Sequence, residues 1–323
     1  MNTITLKGMA ANQGASGLPI LFAPDSVTAK RVLEFFAVNI RNTNTRKTYA
    51  NAVKSFGNWC ESRGVVHLGD VEPIFVAGYI EELTERIAAP SVKIHLAAIR
   101  MLFDWLVIGQ VLPTNPASSV HGPKHVVRKG KTQVISAEET RELLNAIDSD
   151  TIIGLRDRAL ISFLVYTFAR VGAAIKMRVE DVFAEGKYTW IRLQEKGGKQ
   201  HEMPCHHTLE EYLRSYIEES GIADKPRSPL FRTSEGQSGK LTERPMCQSD
   251  IYRMIRRRAV AANIRTKIGC HSFRATGITE FLRNGGNLEI AQTMANHESI
   301  RTTSLYDRRN DLLTRNEIER IRI

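Results

Sequence analysis

The stretch "MANHESIRTTSLYDRR", Met294–Arg309, decides how the rest of the chain reads. It carries one histidine, His297, and one tyrosine, Tyr306, nine residues later. Arg301, Arg308 and Arg309 surround the tyrosine, whereas a phenol placed only for packing would prefer apolar neighbours. Taken alone, each group has an ordinary explanation. Histidine is mildly favoured at a helix C-terminus, and tyrosine often packs its ring while exposing its hydroxyl. The meaning of the stretch depends on what else in the chain shares its chemistry.

Three other motifs do. Arg170 ends an apolar helical run in "TFARVGAAIKMRVEDV". Lys196 and Lys199 sit at the turn of an alternating segment, "LQEKGGKQHEMP". His271 and Arg274, three apart in "HSFRATG", share one helix face. Singly these are ordinary surface charges. Together they comprise two arginines, two histidines, a lysine and a tyrosine without a carboxylate cluster, a set that suits attack of a phenolate on a phosphodiester. Arginine offers a planar fork to two non-bridging oxygens. Two of them can offset the charge of a pentacoordinate phosphorane without a metal. The phenol, with a pKa near 10 in water, needs a proton acceptor or strong electrostatic help, which a histidine supplies. A lysine on a turn can protonate the departing 5′-oxygen. A metal-dependent nuclease would want clustered Asp and Glu, which these motifs lack.

The rest of the chain agrees with a polyanionic partner. It has 323 residues, 42% of them hydrophobic and 25% charged, with a formal net charge of +10. That length suits two domains, and that charge balance suits nucleic acid. No apolar run approaches the roughly 20 residues of a spanning helix, and the N-terminus lacks a signal-peptide pattern. The four cysteines form no CxxC pair, so neither a zinc site nor a disulfide frame is expected. The chain reads as a soluble protein of a reducing compartment, the cytoplasm, with no cofactor, no metal and no membrane contact.

Residues 1–25 read as a flexible arm and 26–118 as a helical unit of four helices. In "SVTAKRVLEFFAVNI", Val32, Leu33, Phe36 and Ile40 fall at helical spacing. Residues 119–133 read as a basic linker, broken by prolines. Residues 134–323 form the second unit. Ser136 and Glu139 make a capping-box signature. Tyr188 to Pro204 alternates as a small antiparallel sheet around Gly197-Gly198. The tail "NDLLTRNEIERIRI" has the spacing of an amphipathic helix. The expected fold is mainly α with a small antiparallel β-sheet in the C-terminal domain, arranged as a two-domain clamp.

The order of these motifs resembles that of the tyrosine recombinases, the phage-integrase family. That family has an arginine after an apolar helix, a lysine in a β-hairpin, an H-x-x-R pair, a His or Trp after a short helix, and a tyrosine about nine residues on. The matching positions are Arg170, Lys196, His271 with Arg274, His297 and Tyr306. The resemblance covers residues from about 134 to 310, and less specifically the helical N-terminal part, which is similar to the family's core-binding domain. Ala173 stands where the family commonly has a supporting glutamate, Asn296 replaces a usual glycine, and Ala275 a frequent histidine. Lys199 shares the turn with Lys196 and is a second candidate for the acid.

The resemblance implies a site-specific DNA recombinase. Tyr306 would be the nucleophile, forming a 3′-phosphotyrosyl link without ATP or metal. Partners would be double-stranded recombination sites, a homotetramer on paired sites, and accessory DNA-bending or directionality proteins. For DNA contact, basic and polar residues at a helix start stand out first: Arg41, Asn44, Thr45, Arg46 and Lys47. Lys93 and Arg100 follow on another helix, then Lys124, Arg128, Lys129 and Lys131 in the linker, Lys199 at the turn, and Arg256 and Arg257 in "RMIRRRAVAANIRTK". Two other readings stay open: a binding-only protein on the same fold, and a type IB topoisomerase-like activity.

Overall fold

Local capping chemistry sets where most helices begin. The computed structural model describes residues 18–126, 130, 132–195, 198–236 and 238–307. The chain divides into two compact units, Met1–Val126 and Val127–Ile323.

In the first unit the Asp25 carboxylate accepts the Val27 and Thr28 N–H groups and starts α1, Ser26–Glu34. The chain continues through a wider π turn, Phe35–Asn39, which buries Phe35 and Phe36. Asn42 caps α2, Thr43–Glu61, and Gly64, with φ +79°, lies just beyond the end of that helix. A proline in the first turn opens both α3, Pro73–Arg86, and α4, Ala89–Ile108. Phe56, Val76, Ile99, Leu102 and Phe103 fill the core between them. Among the described residues this unit has four α-helices. Of the expected arm, residues 1–17 lie outside the described residues, while Leu21 and Phe22, in the short turn Ile20–Phe22, are fully buried in this core. Gly57 in α2 makes room for that turn. A Cβ there would lie 2.7 Å from Pro19 and 2.8 Å from Phe22.

In the second unit Ser136 and Glu139 form the expected capping box and start α5, Ala137–Asn145. Next comes α6, Ile152–Tyr166, apolar on nearly every side and buried accordingly, then the short α7, Val171–Lys176. Strands β1, Val182–Glu185, β2, Tyr188–Gln194, and β3, Gln200–Pro204, form an antiparallel sheet in chain order. The alternation from Tyr188 onward reveals β2 and β3, whereas β1 is an added strand joined by Gly186 at φ +60°. Helix α8, His207–Glu219, packs on α6. A second hairpin, β4, Arg232–Ser234, with β5, Leu241–Pro245, was not legible, because strands this short scarcely show a period of two. Four more helices follow among the described residues: α9, Gln248–Ala261, α10, Cys270–Arg283, α11, Leu288–Met294, and α12, Ile300–Ser304. The tail helix expected beyond Asn310 lies outside the described residues.

A buried ion network ties α6 to α9 and the second hairpin. Asp157, fully buried, accepts from Arg156 Nε at 3.0 Å and from Arg258 Nε at 2.9 Å. Arg156 also donates to the Arg232 carbonyl. A lone charge so deep would be costly, and the shared pairing offsets that cost.

Gly57→Ala should destabilise the protein by about 1–3 kcal/mol, since the added methyl forces Pro19 and Phe22 aside. Urea unfolding of the two proteins side by side measures this, and equal midpoints would refute the close approach.

Candidate active site

The apolar helix α6 ends in an unusual turn. Phe168 takes φ +54°, in the left-handed region that few side chains adopt. Thr167 steadies it, its hydroxyl donating to the Phe163 carbonyl and accepting from Ala169 N–H. The turn delivers Arg170 to the N-cap of α7. Helix α10 crosses α6 here at very close range. A Cβ on Gly277 would lie 2.1 Å from the Val165 carbonyl oxygen and 2.7 Å from the Phe168 ring.

One turn earlier on α10 lies Arg274, 2% exposed. Its Nη1 donates to the Phe168 carbonyl and its Nη2 to the Ala295 carbonyl. Burial, and then the nearby Arg170 charge, pull its pKa down to about 10, while the Tyr306 side chain and Glu195 pull it up. Arg170 remains part-exposed and donates to Glu195 Oε2 at 3.0 Å.

His297 follows α11 through a Schellman turn. Asn296, at φ +46°, takes the left-handed position, as expected for Asn replacing glycine. Its N–H bonds the Thr293 carbonyl, and the His297 N–H bonds that of Gln292. The His297 ring is buried, shares a 2.9 Å hydrogen bond between Nδ1 and Thr303 Oγ1, and lies parallel to the Tyr306 ring at 5.8 Å between centroids. Burial, then Arg274 and Arg170, lower its pKa to about 3. Partial burial, then the same two charges, lower that of His271, which is still exposed to solvent at the start of α10. Both rings are therefore held neutral.

Tyr306 comes just after α12. Its carbonyl accepts from Thr279 Oγ1 at 3.0 Å, and its ring leans on the apolar cluster of Phe168, Ile278, Leu282, Ala291 and Ala295. The phenol thus does find apolar neighbours, supplied by other segments and not by its own basic stretch. A cleft of about 290 Å³ is lined by Arg170, Glu195, Lys199, His297 and Glu298 among others.

The fold gathers Arg170, His271, Arg274, His297 and Tyr306 around the ends of α6, α10 and α11. Lys196 lies outside the described residues, and Lys199 on the same turn reaches Glu298 at 3.5 Å. Three residues of the site went unread: Glu195, His201 and Thr303. The signal for Glu195 was present, because Ile191, Leu193 and Glu195 continue the buried face of β2 at a spacing of two.

The residues expected to contact DNA fare unevenly. Arg41, Asn44, Thr45, Lys47, Lys93 and Lys124 are exposed. Arg46 instead caps the preceding π turn, donating to the Ile40 carbonyl at 2.7 Å, and Arg100 is occupied by the carbonyls of Ala117 and Val120. Arg256 is half-buried, and Arg257 reaches the buried Asp157 at 3.5 Å. Arg128, Lys129 and Lys131 lie outside the described residues. Among the described residues no group of three or more His, Cys, Asp or Glu could hold a metal ion, and no helix is long and apolar enough to cross a membrane.

Comparison with known proteins places this architecture. The chain belongs to the phage integrase family, whose model matches residues 133–312, with the phage integrase N-terminal SAM-like domain matching residues 37–109. It is 27% identical over 270 residues to the tyrosine recombinase XerD of Chlorobaculum tepidum, covering 81% of this chain and 85% of that protein. Against the tyrosine recombinase XerD of Staphylococcus aureus it is 25% identical over 266 residues, covering 82% and 88%. In fold it resembles the XerH site-specific recombinase in a post-cleavage complex with a palindromic difH substrate, with a TM-score of 0.68, 18% identity and coverage of 94% and 90%. It also resembles a lambda integrase dimer bound to a COC′ core site, with a TM-score of 0.67, 18% identity and coverage of 88% and 96%.

A neutral His297 makes stability depend on pH. The unfolded ring takes up a proton near pH 6.5, while the folded ring stays neutral until about pH 3. The unfolded state therefore binds the extra proton, and stability falls as pH drops through this window, by at most about 1.4 kcal/mol per pH unit from this residue. Denaturant unfolding at about pH 7 and about pH 5 should show a smaller loss in His297→Gln than in the wild type. Equal losses would refute it.

Proposed function

We propose that this protein is a site-specific DNA recombinase that cleaves and rejoins strands through Tyr306. The observation that carries the reading is the Tyr306 ring lying parallel to the buried His297 ring at 5.8 Å, in the field of the buried Arg274 guanidinium and of a second guanidinium on Arg170. Two like charges this close in a desolvated site repel each other, and a bound phosphate relieves the repulsion.

In this reading Arg170 and Arg274 bind the non-bridging oxygens. The Tyr306 oxygen attacks phosphorus and forms a 3′-phosphotyrosyl bond, while the bond to the 5′-oxygen breaks. His271, kept neutral by burial and the two arginines, takes the phenolic proton. Lys196 gives a proton to the departing 5′-oxygen, so charge and protons balance. His297 Nδ1 and the Thr303 hydroxyl are 2.9 Å apart; in this reading the hydroxyl is the donor, which leaves Nε2–H to donate to a non-bridging oxygen. The phosphodiester energy stays in the tyrosyl link, so rejoining needs no nucleotide hydrolysis. Strand exchange would proceed through a Holliday junction, as integration, excision or resolution.

Duplex DNA would be clamped by the two units, with exposed Arg41, Lys47, Lys93 and Lys124 toward phosphates. One relative is described as a dimer on a core site and as a tetramer on a Holliday junction. We carry that assembly over as two protomers per site and four per synapse, working on cytoplasmic DNA.

Trapping tests this directly. The protein, without metal, is incubated with a nicked suicide duplex carrying a candidate site and resolved on a denaturing gel. The wild type should give a covalent adduct and Tyr306→Phe none, while both bind the DNA alike. If about six to ten phosphates are contacted, affinity should fall by roughly 10³–10⁵ between about 50 and about 200 mM salt. Binding without an adduct in the wild type would favour a protein that only binds.

A further inference from the structure

Arg170 does not find its carboxylate on its own helix. The position one turn on is Ala173, buried in the core with no charge to offer. The partner comes instead from the end of β2. Glu195 places Oε2 3.0 Å from Arg170 Nη1, and its side chain is 4% exposed against 38% for the arginine. A carboxylate so buried is costly unless paired. Here the pairing fixes one edge of the guanidinium, and its part-exposed remainder lines the cleft.

Glu195 also works through its main chain. Its N–H donates to the Lys199 carbonyl at 2.9 Å, carrying the pairing of β2 with β3 one step beyond the strands. His201 of β3 lies opposite Leu193, and its buried Nε2 has no hydrogen-bond partner among the described residues. The Glu195 charge also reaches Arg274 and His201. Other carboxylates are poorly placed for this work. Glu298, also on the cleft, is 87% exposed.

We infer that Glu195 is a positioning residue for the strand-cleavage reaction, holding Arg170 against the cleft. Resting on the recombinase reading above, this assigns to the hairpin a task that Ala173 leaves vacant on α7. A small shift in a group that must meet a phosphate oxygen is expensive in rate, whereas DNA affinity, spread over many phosphates, should hardly change.

The test measures adduct formation on the suicide duplex at saturating DNA, together with DNA affinity and thermal midpoint, for Glu195→Gln and Glu195→Asp. Each is made in the wild-type and the Arg170→Lys backgrounds. Glu195→Gln should slow the adduct by about tenfold or more, the effect expected from losing a charged hydrogen bond. Glu195→Asp should recover part of the rate, and affinity should stay within about twofold of wild type. In Arg170→Lys the Gln substitution should add little, because the interaction is already broken. A wild-type rate in Glu195→Gln would overturn the assignment. So would an equal fall in both backgrounds, or a fall that vanishes once the rate is corrected for the folded fraction. A wild type that forms no Tyr306-dependent adduct would instead overturn the recombinase reading on which the inference rests.

Discussion

The contact on which the second unit depends is the buried guanidinium of Arg274. Its two terminal nitrogens bond the carbonyls of Phe168 and Ala295, which are the ends of α6 and α11. Neither carbonyl can be satisfied within its own helix, since each lies at or beyond a C-terminus. A single planar cation thus closes two helix ends and fixes their separation. Arg170 follows one of those ends and His297 the other, so the same contact sets the distance between two groups on opposite sides of the cleft. Charged donors are stronger than neutral ones, which helps to offset the desolvation cost of burying this side chain.

Electrostatics then select the protonation states. Both histidines of the site are deprived of their protons by burial and by the two arginines. A neutral imidazole can accept a proton or donate one from a defined nitrogen, and a protonated one can only donate. The positive field therefore does two things at once, attracting an anion and leaving the histidines in their versatile form. The carboxylate of Glu195 limits that field where Arg170 would otherwise be unpaired.

How much of this was legible in the sequence follows from the range of each interaction. Caps and turns are local, so Ser136 with Glu139, the ends of α2 and the left-handed Asn296 could be read from neighbours a few residues away. The long helices were legible from their apolar spacing. The motif order pointed to five side chains that the fold does bring together, because each lies next to a recognisable helix or turn. Long-range pairings were not legible. Arg46 and Arg100 look like DNA contacts in the sequence, yet main-chain carbonyls six and seventeen or more residues away occupy them. Arg257 and Arg258 belong to a dense basic run, but a buried aspartate about a hundred residues earlier draws Arg258 inward and pairs with the exposed Arg257. The inward position of Glu195 could be read from its spacing, but its pairing could not, the partner lying 25 residues back on another element.

Gly277 has one more consequence. Because it carries no side chain, α10 can rest almost directly on the backbone of α6. Arg274, three residues earlier on the same helix, owes its reach to that proximity. Even a methyl group at 277 would push the two helices apart and draw the guanidinium back from both carbonyls it joins. The calibration of the phosphate-facing groups is thus set by an atom that is missing. The residue least able to take part in any chemistry is the gauge for those that do.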